Sequence, residues 1–345
     1  MITPPLTYPH EIPPAPGDAI LVAEGIYWIR MPLPFALDHI NLWLLADGDE
    51  WVIVDTGYGV SATHDLWQRH FAETMCSRLV NRIVITHYHP DHVGCAAWLT
   101  KKTGAPIWMT NGEFLSAHAA TNDMAGFDVE NSAALFLAHG LARVRPDFVN
   151  AQQARTKSYR RGVPTVPTRF NRLMEHDEIK IGKRSWRIIT VYGHAPEHAC
   201  LYSADDNILI SGDQVLPRIT TNVGVWGNQP EANPLKLFLT SLEKFRPLPT
   251  TTLVLPSHDR VFYGLHERLD QLASHHAVRL AELADVLTTP KSAAEILPIL
   301  FRRPLDDHQL VFAIGEAIAH LHYLWREGRV VRQQDENGVW MFQKC

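Results

Sequence analysis

Residues 87 to 92 read His-Tyr-His-Pro-Asp-His, and four of the six side chains, His87, His89, Asp91 and His92, are metal ligands by type. Imidazole nitrogen and carboxylate oxygen are the donors that zinc and similar divalent ions take. An ion held there turns water into a source of hydroxide at neutral pH. The six residues follow the apolar Val84-Ile85, the kind of run that ends a buried strand. They therefore leave from a loop where side chains can converge on one point. A solvated histidine-rich turn is the competing reading, and four ligands at this spacing favour the metal site over it.

Four other runs repeat the placement. Val52-Ile53-Val54-Asp55-Thr56-Gly57 lies upstream. Downstream are Tyr192-Gly193-His194-Ala195-Pro196-Glu197-His198, then Ile210-Ser211-Gly212-Asp213, then Leu253-Val254-Leu255-Pro256-Ser257-His258. Each delivers an Asp or His at the end of a β-type run, as a layered α/β fold requires to build a site along one sheet edge.

The ordered set Asp55, His87-x-His89-x-Asp91-His92, His194, Asp213 and His258 resembles the metallo-β-lactamase superfamily over roughly residues 18 to 262. The resemblance implies an α/β fold, an αββα sandwich, with a dinuclear metal centre at one edge. It implies His87, His89 and His194 on one ion, Asp91, His92 and His258 on the second, and Asp213 bridging them. Asp55 would orient ligands, and Asp91 or Asp213 would accept the water proton. Zinc is the expected metal, with manganese or iron as alternatives. Asp213, where a thiolate would suit softer chemistry, fits a hard oxygen-bridged pair. Two positions depart from the family pattern, Glu197 and Ser257, where relatives usually carry glycine. His198 is a further candidate beside the site.

The 345 residues, 46% of them hydrophobic, suffice for a large core and two domains. The proline-rich residues 1–17 read as an extended arm, 18–265 as the metallo-β-lactamase domain, and 266–345 as a small winged-helix-like domain. That last region has helical periodicity through Leu269, Leu272, Leu280 and Leu283 and again through Leu310, Ile314, Ile318 and Leu321. Two strands about Asp335-Glu336-Asn337-Gly338 then signal a hairpin. From Lys291 onward seven basic residues balance seven acidic ones, so a DNA-reading stripe is absent. A structural role is expected, as a homodimer contact or as a wall beside the active site. No secretory leader or stretch long enough to span a membrane is visible, and four scattered cysteines suit reduced thiols, so a cytoplasmic location is expected.

The net charge of −5 conceals an asymmetry. Between Arg143 and Arg187 twelve basic residues face four acidic ones, which leaves the rest of the chain strongly negative. This window overlaps a stretch, 111–185, that reads as a helical and basic insertion near the active site. It implies capture of an anionic substrate, with Arg160 and Arg161 as contacts; a solvated surface is the plain alternative. Trp226, in a Gly-rich loop after Asp213, is a candidate substrate wall, and His198 a candidate substrate contact. The metallo-β-lactamase pattern with a winged-helix tail resembles the β-lactamase-like protein 2 group. The resulting expectation is a dinuclear hydrolase acting through a metal-bridging hydroxide on a CoA- or carrier-linked acyl thioester or ester. A single-stranded RNA phosphodiesterase is the alternative from another class, which makes RNA the one nucleic acid considered. Behind it stand a one-iron enzyme like the persulfide dioxygenases and a non-catalytic metal-bound regulator.

Overall fold

The computed structural model describes residues 6–147 and 158–345. Two sheets pack face to face. The first holds β1 (Ala19–Ala23), β2 (Ile26–Pro32), β3 (His39–Asp47), β4 (Glu50–Val54), β5 (Val80–Val84), β6 (Ile107–Thr110) and β7 (Phe170–Leu173), side by side in chain order. Pairing is antiparallel from β1 to β4 and parallel from β4 to β7. The second holds β8 (Glu178–Ile181), β9 (Arg184–Val191), β10 (His198–Ser203), β11 (Ile208–Gly212) and β12 (Leu253–Pro256), also in chain order, with only β11 and β12 parallel.

Helices cover both outer faces. They are α1 (Ser61–Ala72), α2 (Pro90–Val93), α3 (Ala96–Thr103), α4 (Asn111–Thr121), α5 (Val129–Ala138), α6 (Leu141–Val144), α7 (Ser158–Gly162), α8 (Pro234–Leu242), α9 (Leu265–Val286), α10 (Leu297–Leu300) and α11 (Asp307–Arg326). A hairpin of β13 (Val330–Gln334) and β14 (Trp340–Lys344) follows. Side chains of a strand alternate between faces, and here both faces are apolar because both are covered. Trp28, Trp43, Val52 and Val54 meet Ile188, Leu201, Ile210 and Leu255 between the sheets. Ile29, Leu42, Leu44 and Ile53 turn outward onto Trp67 of α1 and Leu99 of α3. The architecture is the αββα sandwich, with a small C-terminal unit of helices and a hairpin.

That unit shares its core with the sandwich. Leu265, Leu269, Leu272, Leu280 and Leu283 of α9 join one cluster with Leu209 and Val254 of the second sheet and Ile314 and Ile318 of α11. Asp306 starts α11 through a capping box with Gln309. The described part of the N-terminal arm, residues 6–17, is tied down where Thr7 exchanges backbone hydrogen bonds with Tyr263. The insertion expected over 111–185 is shorter in the structure. Its described helices end at Gly162, and Phe170–Leu173 and Glu178–Ile181 are the edge strands of the two sheets. No described helix is long and apolar enough to cross a membrane.

Candidate metal centre

Each motif run is a strand, and each candidate residue lies at or just beyond its C-terminal end. Asp55 follows β4, His87 follows β5, His194 follows β9, Asp213 follows β11 and His258 follows β12. Their ligand atoms form two clusters, His87, His89, His194 and Asp213 in one and Asp91, His92 and His258 in the other, with all atoms of a cluster within 4.8 Å of one another. In the first, His87 Nε2 lies 3.0 Å from His89 Nδ1 and 3.2 Å from His194 Nε2. In the second, His258 Nε2 lies 3.5 Å from Asp91 Oδ2, and His92 Nε2 lies 3.7 Å from the same oxygen. Asp213 splits its carboxylate between them: Oδ2 is 3.3 Å from His194 Nε2, while Oδ1 is 3.4 Å from His258 Nε2 and 3.5 Å from His92 Nε2.

Hydrogen bonds on the far side of the rings decide what those nitrogens offer. A main-chain carbonyl can only accept, so His194 Nδ1 must donate to Asn222 O (2.8 Å) and His258 Nδ1 to His39 O (2.8 Å). His92 Nδ1 likewise meets Asp55 Oδ2 at 2.8 Å. His87 Nδ1 meets Thr86 Oγ1 at 3.0 Å, and that hydroxyl donates onward to Asp55 Oδ2 at 2.8 Å. In the neutral ring the opposite nitrogen is then a lone pair, so four imidazole lone pairs point inward. Lone pairs at such separations repel unless a cation sits among them. A tetrahedral zinc shell with bonds of about 2.0–2.1 Å has edges of about 3.3 Å, close to the observed separations. His92 Nε2 and Asp213 Oδ1 are buried with no hydrogen-bond partner, which an ion would supply. The donor set thus fits a pair of divalent ions.

The local field agrees. Burial opposes the Asp213 anion, yet His258 and His92 hold its carboxyl well below the usual carboxylate range. Against burial, Asp55 raises His92 and Asp213 raises His258, so without an ion these two rings favour a proton, which a divalent ion would displace. Burial, with help from neighbouring rings, keeps His87 and His89 well below the usual histidine range, hence neutral and able to ligate.

Other sequence assignments are redistributed. Asp55 is 2% exposed and accepts from Thr86 N, Thr86 Oγ1 and His92 Nδ1. It therefore lies behind the candidate ligands, where it can position them, and is too buried to meet substrate. His198 is 0% exposed, stacks on His87 at 4.7 Å between ring centroids and accepts from Asp213 N at 3.2 Å. It backs two ligands and offers nothing to a substrate, which corrects its assignment as a substrate contact. Gly212 has to be glycine because a Cβ there would collide with His198 Nε2. Trp226 lies between Phe136 and Phe312.

The basic window does not act as a unit. Arg143 pairs with Asp335 and Arg145 with Asp307. Lys180 in β8, Lys183 in the turn that follows and Arg184 at the start of β9 lie about 23 Å along the strand from the end that leads to His194. Arg155 and Lys157 fall outside the described residues. Arg160 and Arg161 do sit beside the centre: Tyr159 of the same helix donates to Tyr88 O in the ligand loop, and Gly59 N donates to Gly162 O at 2.8 Å. Arg161 and Asp91 both act electrostatically on Tyr58.

Sequence reasoning missed Glu113. From α4 its carboxylate accepts Tyr88 N (2.9 Å) and Glu197 N (2.5 Å), clamping the two histidine loops together. Glu197 answers by accepting Gly112 N at 2.7 Å, the use the structure makes of that departure from glycine.

Two ligand clusters sharing one carboxylate, at the edge of an αββα sandwich, define a metallo-hydrolase. The chain belongs to the Metallo-beta-lactamase superfamily, whose profile matches residues 36–258; that of the Metallo-beta-lactamase-like, C-terminal domain matches residues 280–345. A beta-lactamase domain protein from Burkholderia ambifaria has a similar crystal structure, with a TM-score of 0.92, 43% identity, and 99% of this chain and 98% of that one covered. The Beta-lactamase-like protein 2 homolog of Caenorhabditis elegans is 23% identical, over 74% of this chain and 68% of its own. The Acyl-coenzyme A thioesterase MBLAC2 of Homo sapiens is 24% identical, over 56% of this chain and 64% of its own.

Proposed function

We propose that the protein hydrolyses an acyl thioester or ester with two divalent ions, zinc for preference, held by the two clusters. The observation that carries this reading is the division of Asp213, one oxygen facing each cluster. Ions so placed supply Lewis acidity toward the acyl carbonyl and a nucleophile from water. The protein's own part is orientation and proton handling. Asp55 and Thr86 hold His92 and His87, and Asn222 and His39 hold His194 and His258. Asp91 turns Oδ2 toward the second cluster, and either Asp91 or Asp213 would accept the water proton.

The choice of substrate rests on what frames the centre. Phe35 stacks on His308 at 5.1 Å and meets Tyr58 at 5.5 Å, and Phe312 joins His308 (5.1 Å) to Trp226 (5.8 Å). This aromatic arc runs from Tyr58, within electrostatic reach of Asp91, to Trp226, four residues beyond the carbonyl that holds His194. An arc of that kind suits an acyl chain, with Arg160 and Arg161 for an anionic carrier. RNA would need a longer run of cations and stacking faces, whereas Arg143 and Arg145 are paired with Asp335 and Asp307, and Lys180, Lys183 and Arg184 lie at the far end of the sandwich. One-iron chemistry would leave the second cluster without a use. The thioesterase named among the relatives points the same way.

The test is turnover of an acyl-CoA chain-length panel, a neutral ester and single-stranded oligoribonucleotides by zinc- or manganese-loaded protein, with Asp213→Asn as control. Thioester cleavage lost in the variant supports the reading. RNA cleavage without acyl turnover overturns it.

A further inference from the structure

The segment that leaves β11 with Asp213 is fastened from the C-terminal unit at four points. Arg268 of α9, itself buried, donates to Leu216 O (2.5 Å) and Ile219 O (2.8 Å). Asn222 Nδ2 donates to Glu316 Oε2 of α11 at 3.2 Å, and Val225 N donates to Gly315 O at 3.0 Å. Thr221 Oγ1 returns to Asp213 O within the segment. Gly315 marks how close the approach is. A Cβ there would lie 3.2 Å from Val225 O and 3.6 Å from the Gly224 Cα. Glycine inside a helix is unfavourable by about 1 kcal/mol against alanine, so its presence mid-helix in α11 is accounted for by the loop it admits.

Asn222 stands where this fastening meets the centre. Its main-chain oxygen accepts a hydrogen bond from His194 Nδ1, and its side-chain amide donates one to Glu316. We propose that Glu316 is a positioning residue for the metal centre: by accepting from Asn222 it fixes the carbonyl that sets the tautomer and aim of His194. The C-terminal helix thereby orients a ligand set supplied wholly by the sandwich. This rests on the metal-pair reading above. It also predicts selectivity, since His194 belongs to the first cluster and no step of the relay touches His92, Asp91 or His258.

The experiment is stepwise Co(II) binding to the full-length protein in competition with a chromophoric chelator, with the visible Co(II) spectrum and the melting temperature of the metal-free protein followed in parallel. Glu316→Gln keeps an acceptor oxygen and is expected to match the parent. Glu316→Leu removes it, and Asn222→Asp replaces the donor with a second carboxylate. Both are expected to weaken one of the two ions by about 10–100-fold, the usual effect of losing a ligand's outer partner, with a changed spectrum for that ion and the other ion bound as in the parent. Three results overturn the proposal: Glu316→Leu binding both ions like the parent; both ions weakened together along with a lowered melting temperature; or Glu316→Gln failing as badly as Glu316→Leu. If the parent itself binds fewer than two ions, the metal-pair reading falls and the relay falls with it, a result distinguishable from the other three.

Discussion

Replacing Asp55 by Asn should reverse the hydrogen-bond polarity behind both clusters with one atom changed. Asp55 sits at φ 62°, a left-handed conformation Asn tolerates well, so the fold should survive. Its Oδ1 accepts Thr86 N at 2.8 Å, and an amide oxygen can keep that bond. An amide nitrogen then stands where Oδ2 accepted from His92 Nδ1 and Thr86 Oγ1. It forces His92 to become the acceptor at Nδ1 and so to carry its proton on Nε2, where a ligand lone pair is needed. Thr86, turned to accept from the amide, donates its hydroxyl to His87 Nδ1 and pushes that ring into the wrong tautomer as well. One ligand in each cluster is spoiled. Ligand partners of this kind are worth about 10–100-fold in affinity, or about 1.4–2.7 kcal/mol per ion. Chelator competition with Zn(II) should therefore show both ions weakened in Asp55→Asn, in contrast to the single ion expected for Glu316→Leu. An Asp55→Asn protein that binds two ions with parental affinity would refute the tautomer argument.

Other perturbations give separate readouts. Asp213→Asn should cut the zinc content below two ions per chain by elemental analysis and remove nearly all turnover. Arg160→Ala combined with Arg161→Ala should raise KM for an acyl-CoA and leave KM for a neutral ester unchanged; equal effects on both would return these arginines to plain surface. Buried histidines far from the centre should make the metal-free protein acid-labile. Burial pushes His139 and His320 down to about 4. The unfolded chain therefore binds more protons between that value and about 6.5. Their contribution is complete above about pH 6.5 and is lost as pH falls toward 4, at up to about 1.4 kcal/mol per pH unit per group. Urea midpoints against pH should show this, with a shallower slope in His139→Gln.

The candidate ligands were legible in sequence because five motifs each follow a hydrophobic run, and the end of a strand in a layered fold is a known place. Strand ends β4, β5, β9, β11 and β12 did what the pattern implied. What stayed hidden was whatever depends on partners remote in the chain. Glu113 reaches Tyr88 across 25 positions and Glu197 across 84, and Asn222 reaches Glu316 across 94. None of these has a local signature. His198 looked available because it follows the ligand loop by four residues, but it opens β10, a strand flanked by β9 and β11. The basic window divides between the two ends of the sandwich because charge counted along the chain ignores direction. Gly182 N donates to Asp47 in the β3–β4 turn, so the lysines beside it belong to the end of the sandwich opposite the centre.

The centre's precision is assembled from groups other than the candidate ligands themselves. The sandwich brings the ligand side chains to one edge, but a strand end alone leaves an imidazole free to choose its tautomer and rotamer. That freedom is removed by groups from three other directions: Asp55 with its left-handed backbone beneath His92, Glu113 between the two histidine loops, and α11 behind His194. Two of the seven left-handed non-glycine positions among the described residues adjoin the centre. Asp55 at φ 62° and Asp259 at φ 67° are left-handed non-glycine residues, one holding a ligand and the other next to one. Such conformations cost of order 1–3 kcal/mol and persist only where surrounding bonds over-determine them. Here those bonds are identifiable, since Asp55 N donates to Val84 O (2.8 Å), while Asp259 N donates to His39 Nε2 (2.9 Å) and its carbonyl accepts from Asn41 (3.1 Å). His39 thus holds the strained turn with its ring and His258 with its carbonyl, so the bonds that maintain the strain also aim the ligand.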